Sequence, residues 1–340
     1  MRIELIRTDE LGAAETQQWR RLQGEDRTIS SPGLSPGWAR CVGRARADAR
    51  IAAIRDRTGR ALGYLPIQAG KGGVLEPLAA SLNLGCGLVG DPQLAWDAPA
   101  WLAEIGARGL QFQGAPERQV EFARASRGGV LRLSAELTGG AAAYVTRKRE
   151  DGFDMLDRRA RRIGRIAAEL GPPRIRLFAC EGPDFSQTLY WSASAFRRPQ
   201  EDWEIAALRA AFEHQADDGF RGALFTMHVG DTLAAGAFFL VDRASAQIVF
   251  YGDAPGYSSY EPIGVLIADA ISAFAARGVV EVDLGAIEGP LAREFATGRR
   301  QRLYGMIRAG VQKKKSFRDA FAGRGKRDAR EWSRIGPVAV

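Results

Sequence analysis

ALFTMHVGDTLAAGAFFLV, residues Ala223 to Val241, holds two apolar runs joined by Gly230-Asp231. Apolar runs flanking a Gly-Asp pair predict an antiparallel hairpin, because glycine takes the positive φ that a tight turn requires. The strands are expected over Ala223–Val229 and Leu233–Val241, with a third over Gln247–Gly252. Pro262 to Ala276 then has Ile263, Leu266, Ile267, Ala270, Ile271 and Phe274 at helical spacing, and Gly278 as its stop. Val280–Leu284 is the next strand and leads into Asp283-Leu284-Gly285. Strands, a helix with a glycine near its start, and a further strand predict a compact α/β module suited to a cofactor.

Upstream of the hairpin, Arg174–Ala179 alternates as a strand, and Ser186–Phe196 and Trp203–Asp217 read as helices. Ala142 to Leu170 mixes eight Arg or Lys with five acids and reads as one long helix, or as a pair broken at Gly152. The first part of the chain has a similar order. It runs strand Arg2–Ile6, helix Leu11–Leu22, and a helix capped by Ser35 with Pro36 at its first position. A hairpin Arg50–Arg55/Ala61–Gln68, a loop-like Gly70–Gly90, helix Ala98–Arg108 and strand Leu110–Gln113 follow. The expected fold class is therefore α/β, as two similar units with mixed, largely antiparallel sheets. Residues 1–138 form the first unit, 139–171 a charged helical connector, 172–315 the second unit and 316–340 a basic tail.

At 340 residues the chain exceeds the size at which one core usually keeps growing. No uncharged apolar run reaches the roughly 18 residues of a spanning helix. Glu4 and Asp9 interrupt the opening MRIELIRTDE, so no secretory leader is expected there. Cys41, Cys86 and Cys180 are far apart and not in CxxC spacing, and only two histidines occur. Neither a disulfide framework nor a metal site is expected, and a cytoplasmic location follows. The net charge of +8 is local, since Arg299 to Arg334 holds 13 Arg or Lys against three acids. That patch suits cofactor phosphates, an anionic membrane's inner face, or plain solvent. No zinc-finger or helix-turn-helix pattern accompanies it, so nucleic acid has no second sign in its favour.

An ordered set of motifs resembles a known family. It comprises Gly230-Asp231-Thr232-Leu233-Ala234-Ala235-Gly236, Phe250-Tyr251-Gly252-Asp253-Ala254-Pro255-Gly256-Tyr257, Glu261-Pro262-Ile263-Gly264 and Asp283-Leu284-Gly285. Together these look like the catalytic half of bacterial GNAT-like acyltransferases of the cellulose and exopolysaccharide branch. Their two-unit architecture is shared with peptide-bridge aminoacyltransferases of the Fem type. The resemblance implies acetyl-CoA or another acyl-CoA as cofactor. It places Tyr251, Gly252, Tyr257, Glu261, Ile263 and Gly264 beside that cofactor, with its pyrophosphate at the helix start. Free N–H groups and the helix field favour an anion there independently; a well-capped core helix is the alternative reading. Leu291 and Ala292 stand where the branch carries Tyr and Lys, and Arg293 keeps a positive charge.

Acyl transfer to an amine needs a deprotonated nucleophile, alignment and oxyanion stabilisation. Asp283 and Glu288, at and beyond a strand end, are the carboxylate candidates for a base. Each is equally readable as a structural acceptor or a solvated loop acid. His228 is a candidate proton relay or a satisfied strand histidine. Tyr251 is a candidate donor to the leaving thiolate, and Tyr260, Arg293 and Tyr304 are candidate acceptor contacts. The leading expectation is N-acylation of a small-molecule or lipid-linked amino sugar in envelope polysaccharide synthesis. A tRNA-dependent Fem-type transferase and a degenerate, nucleotide-responsive scaffold are the alternatives.

Overall fold

Gly230, at φ +58°, and Asp231 form a two-residue turn that sets Val229 opposite Thr232, and the hairpin predicted from that dipeptide is at the heart of the second unit. The structure, a computed structural model, describes residues 1–82, 84–192, 201–214, 219–285 and 290–310. Its first unit runs β1 (Arg2–Arg7), α1 (Ala13–Glu25), α2 (Pro36–Ala45), β2 (Arg50–Arg55), β3 (Ala61–Ala69), β4 (Val74–Pro77), β5 (Val89–Gly90), α3 (Ala98–Glu104), β6 (Gly109–Pro116), α4 (Val120–Arg124) and β7 (Ser126–Glu136). Then come α5 (Gly140–Glu150), α6 (Met155–Glu169), β8 (Pro173–Ala179), α7 (Gly182–Trp191), α8 (Asp202–Phe212), β9 (Phe220–Val229), β10 (Thr232–Asp242) and β11 (Ser245–Asp253). The described residues end with α9 (Pro262–Ala275), β12 (Glu281–Asp283), α10 (Pro290–Phe295) and β13 (Gly298–Arg308).

The two units share one 13-stranded sheet, ordered β1-β2-β3-β4-β6-β13-β7-β12-β11-β10-β9-β8, with β5 on β3. Its centre is a reciprocal exchange. β7, from the first unit, pairs with β12 of the second, while β13, from the second, pairs with β6 of the first. On one face α2 packs against α8, and one apolar core runs from Trp19 and Trp38 of the first unit to Leu208 and Phe238 of the second. On the other face the cores are separate. One gathers around Trp101, Leu102 and Phe122, the other around α9. Leu266, Ile267, Ile271 and Phe274 of α9 are all buried, each stabilising by about 1.5–3 kcal/mol.

Several boundaries differ from the sequence expectation. The first predicted helix of the second unit starts earlier, at Gly182, where Pro183 suits the first turn; residues 193–200 lie outside the described residues. The predicted Ala98–Arg108 helix stops at Glu104, because Gly106 takes φ +73° and Ala107 N–H returns to the Leu102 carbonyl. Gly70–Gly90, expected as loop, contains β4 and β5. The charged segment does break near Gly152, at φ +78°, into α5 and α6. β7 escaped sequence reading because Gly128 and Gly129 weaken its strand pattern. Both serve cross-strand packing: a Cβ at Gly128 would meet Tyr304 Oη at 2.6 Å, and one at Gly129 would meet Gln301 Nε2 at 2.4 Å.

Candidate active site

β11 and β12 are parallel and in register for three residues, Ser245↔Glu281, Ala246↔Val282 and Gln247↔Asp283. Their ladder ends there, yet β11 continues to Asp253. Val249 is a bulge, since Phe238 faces Phe250 while Phe239 faces Ile248. A bulge bends and twists its strand. β12's path stays with β7, as Leu284 N–H donates to Leu133 O and Leu133 N–H to Gly285 O. The strands therefore part into a wedge, and among the described residues no strand lies beside Ile248–Asp253 on the β12 side. In the first unit β4 and β6 are also parallel, at Val74↔Gly109 and Leu75↔Leu110, but β4 ends at Pro77.

Tyr251 projects to the α9 face, half-buried against its core, and burial pushes its phenol up to about 12. Gly252 lies under α7. Thr226, Gly236 and Gly252 form one row across β9, β10 and β11. A Cβ at Gly236 would stand 2.0 Å from Thr188 Oγ1, and one at Gly252 would stand 2.6 Å from Trp191 Cβ. The row is thus a trough in which α7 rests.

The turn before α9 is self-bonded: Tyr257 N–H donates to Ala254 O, Tyr260 N–H to Tyr257 O and Glu261 N–H to Ser258 O. Glu261 holds a left-handed φ of +52° just ahead of Pro262. Three arginines of α6, spaced on one helical face, reach α9 and the turn before it. Arg159 pairs with Asp269, and Arg165 donates to Ser259 O and stacks on Tyr260, whose hydroxyl donates to Glu169 at 2.9 Å. Arg162 reaches Glu294 at 2.6 and 3.0 Å and Glu261 at 2.8 Å. Its guanidinium lies over Gly264, where a Cβ would be 2.5 Å from Nη1. Burial opposes the Arg162 charge, and the bonds to Glu294 and Glu261 outweigh it, raising its pKa. Ile263 is buried against the α9 core.

Opposite α9, polar groups line the base of the wedge. Asp283 pairs with Arg132 at 3.0 Å and accepts the Gly285 N–H at 2.7 Å. Arg300 pairs with Glu281 at 2.7 Å; burial pushes the Glu281 carboxyl up despite that partner. Arg302, whose pKa burial lowers, donates to Thr28 O at 2.7 Å. Arg300 also donates to Arg27 O, and Ser31 Oγ to Gln247 Oε1 at 3.1 Å. A segment of the first unit therefore closes over the parallel pair of the second.

Of the sequence candidates, Asp283, Tyr251 and the Tyr257–Gly264 stretch surround the wedge and α9. His228 lies elsewhere, buried beneath α7 with Nε2 3.2 Å from Asp184 Oδ2. Tyr304 faces Gly128 and Gln113, six residues along β13 from the Gly298–Ser134 pair beside Asp283, or about 20 Å. Arg293 is exposed on α10. Glu288 lies outside the described residues, as does the tail from residue 311. Sequence reasoning missed Arg162, Arg132 and the bulge at Val249. The repeat Arg159, Arg162, Arg165 was the one visible sign.

Residues 156–293 match a family model described as an acetyltransferase (GNAT) domain. The fold is similar to FemX, with TM-score 0.56 and 10% identity over 90% of this chain and 96% of that one. It is also similar to a tandem GNAT protein from the clavulanic acid biosynthesis pathway, with TM-score 0.53 and 13% identity over 92% and 100%. L-PGS from Bacillus licheniformis gives TM-score 0.51 and 9% identity over 86% and 91%. No curated protein sequence matches the chain. Residues 156–293 thus carry a GNAT-like acetyltransferase domain, and the fold is that of two GNAT-like units.

Proposed function

We propose that the protein transfers an acyl group from acyl-CoA to an amine, with the donor bound in the β11–β12 wedge. The observation that carries this reading is the strand edge Ile248–Asp253, which continues past the last parallel pair with no strand on its β12 side among the described residues. An extended arm with amide groups fits such an edge as an added strand would. Acyl-CoA supplies the activated thioester. Arg162, over the amino end of α9, is the group to hold its pyrophosphate. Glu261, 63% exposed, now occupies that guanidinium's outer side and stands in for the anion. Tyr251, kept protonated by burial, is the candidate donor to the departing sulfur. Asp283, already engaged by Arg132 and Gly285 N–H, suits orientation of the β12 end better than proton abstraction.

The acceptor in this reading is an amino sugar, free or lipid-linked, of envelope polysaccharide synthesis, which rests on the motif resemblance. The first unit, whose wedge is short, is then a structural partner, residues 139–171 link the units, and the work takes place in the cytoplasm or at the membrane's inner face. A second reading, an aminoacyl-tRNA donor, draws support from the self-bonded turn before α9, which leaves fewer N–H groups for a pyrophosphate.

Calorimetry with acetyl-CoA and a longer acyl-CoA, followed by turnover on glucosamine, tests the choice. Micromolar binding that persists at physiological salt supports the first reading. No binding to either thioester removes it and leaves the tRNA donor.

A further inference from the structure

Away from the wedge, α1, α2 and the β10–β11 turn enclose a cleft of about 510 Å³ lined by Thr16, Arg20, Arg21, Arg40 and Arg243 among others, with no carboxylate among its lining residues. The α1 and α2 walls belong to the first unit and Arg243 to the second. We propose that this cleft binds a phosphate monoester or diphosphate group carried by a small molecule or a lipid headgroup.

The charge balance argues for it. Of the two acids on α1, Glu15 is turned away to Arg55, and Glu25 pairs with Arg21 at a site where both side chains are about half exposed, leaving Arg40 and Arg243 to set the charge of the cleft. Exposed pairs of that kind contribute little and are screened by salt. Arg40 is fixed by bonds from its Nη2 to Thr16 Oγ1 at 2.7 Å and Leu11 O at 3.2 Å, so one guanidinium is held in place before any ligand arrives. Arg40 and Arg243 bring guanidiniums from both units to one concavity, where an anion between them is favoured. Arginine's planar, multi-donor head matches phosphate oxygens in pairs. The volume exceeds that of a bare phosphate and falls within the range of small-ligand pockets. Because both units contribute, a bound anion also ties the units together on the face where α2 meets α8.

The full chain is titrated with inorganic pyrophosphate by calorimetry at low and physiological salt, beside Arg21→Gln/Arg243→Gln. Both replaced residues have exposed side chains, and a thermal melt of each protein checks folding. The expected result is saturable binding that weakens about tenfold or more in the double variant, with acyl-CoA binding unchanged. Undiminished pyrophosphate binding by the variant overturns the proposal, because the anion is then held elsewhere, as does an absence of saturable binding to the unaltered chain. Glucose 1-phosphate in solution, against phosphatidylcholine vesicles doped with phosphatidic acid, then separates the two sources of the phosphate: the one whose binding falls in the double variant is the ligand class.

Discussion

Arg162 grips Glu294 through both terminal nitrogens, at 2.6 and 3.0 Å, and lies over Gly264 at the start of α9. Both side chains are only 11% exposed, so each has given up water and depends on the other. Removing one member leaves a largely desolvated charge. Arg162→Met is expected to destabilise by about 3 kcal/mol, and Arg162→Met/Glu294→Met to recover most of that loss. Urea unfolding of both decides it; equal destabilisation by single and double variants refutes the coupling.

Glu261 holds the other side of that guanidinium from an exposed position. Glu261→Gln withdraws a competing carboxylate, so acyl-CoA affinity is expected to rise about threefold, within the energy of an exposed ion pair. Calorimetry measures it, and weaker binding shows that Glu261 serves the cofactor rather than standing in for it.

The α7 trough predicts a steric penalty. Gly236→Ala places a methyl group against Thr188 and is expected to cost about 1–3 kcal/mol as overpacking. Gly252→Ala collides with the Trp191 Cβ and the Ser192 N, and is expected to be at least as costly. Thr188→Ala should rescue the first variant and not the second, as read from chemical melts.

Asp283→Asn keeps the shape and the Gly285 contact but removes the charge facing Arg132, which is 7% exposed. A stability loss of about 2 kcal/mol is expected. If Asp283 orients the strand end, turnover falls by less than tenfold and its pH profile keeps its limbs. Loss of the acid-side limb in that profile identifies it as the base instead.

Burial raises the phenols of Tyr64 and Tyr251 from 10.0 to about 12, and that of Tyr144 in the same direction. A pKa raised in the folded state contributes stability that is complete below the unfolded value and is lost as pH rises through the folded one. Stability should therefore hold to about pH 10 and fall between pH 10 and 12. Tyr251→Phe should reduce that slope by about one proton, as measured by urea midpoints against pH. In turnover the same variant should lower kcat about a hundredfold with KM unchanged, if the phenol protonates the departing sulfur.

Much of the second unit was legible before folding, because its signals are local. Gly230-Asp231 specifies a turn within four residues. The Ile263 to Phe274 repeat identifies one apolar helix, and Pro262 and Gly278 bracket it. Ser35 caps α2 by accepting the Trp38 N–H at 3.1 Å, a contact that spans three residues. The α/β class and the order of these elements follow from such short-range constraints.

What joins residues far apart was decided only by tertiary structure. Nothing local in Ser126–Glu136 announces that it will lie between β12 and β13, since its glycines are explained by Tyr304 and Gln301 on a strand some 170 residues later. Nor does the charge pattern of α6 say that Arg162 will find Glu294, or that of β7 that Arg132 will find Asp283. Sequence periodicity encodes which face of an element is apolar, whereas the partner of a buried charge depends on which strands exchange between the units. The wedge itself belongs to this second kind: it exists because β12 stays with β7 while β11 bends away at Val249.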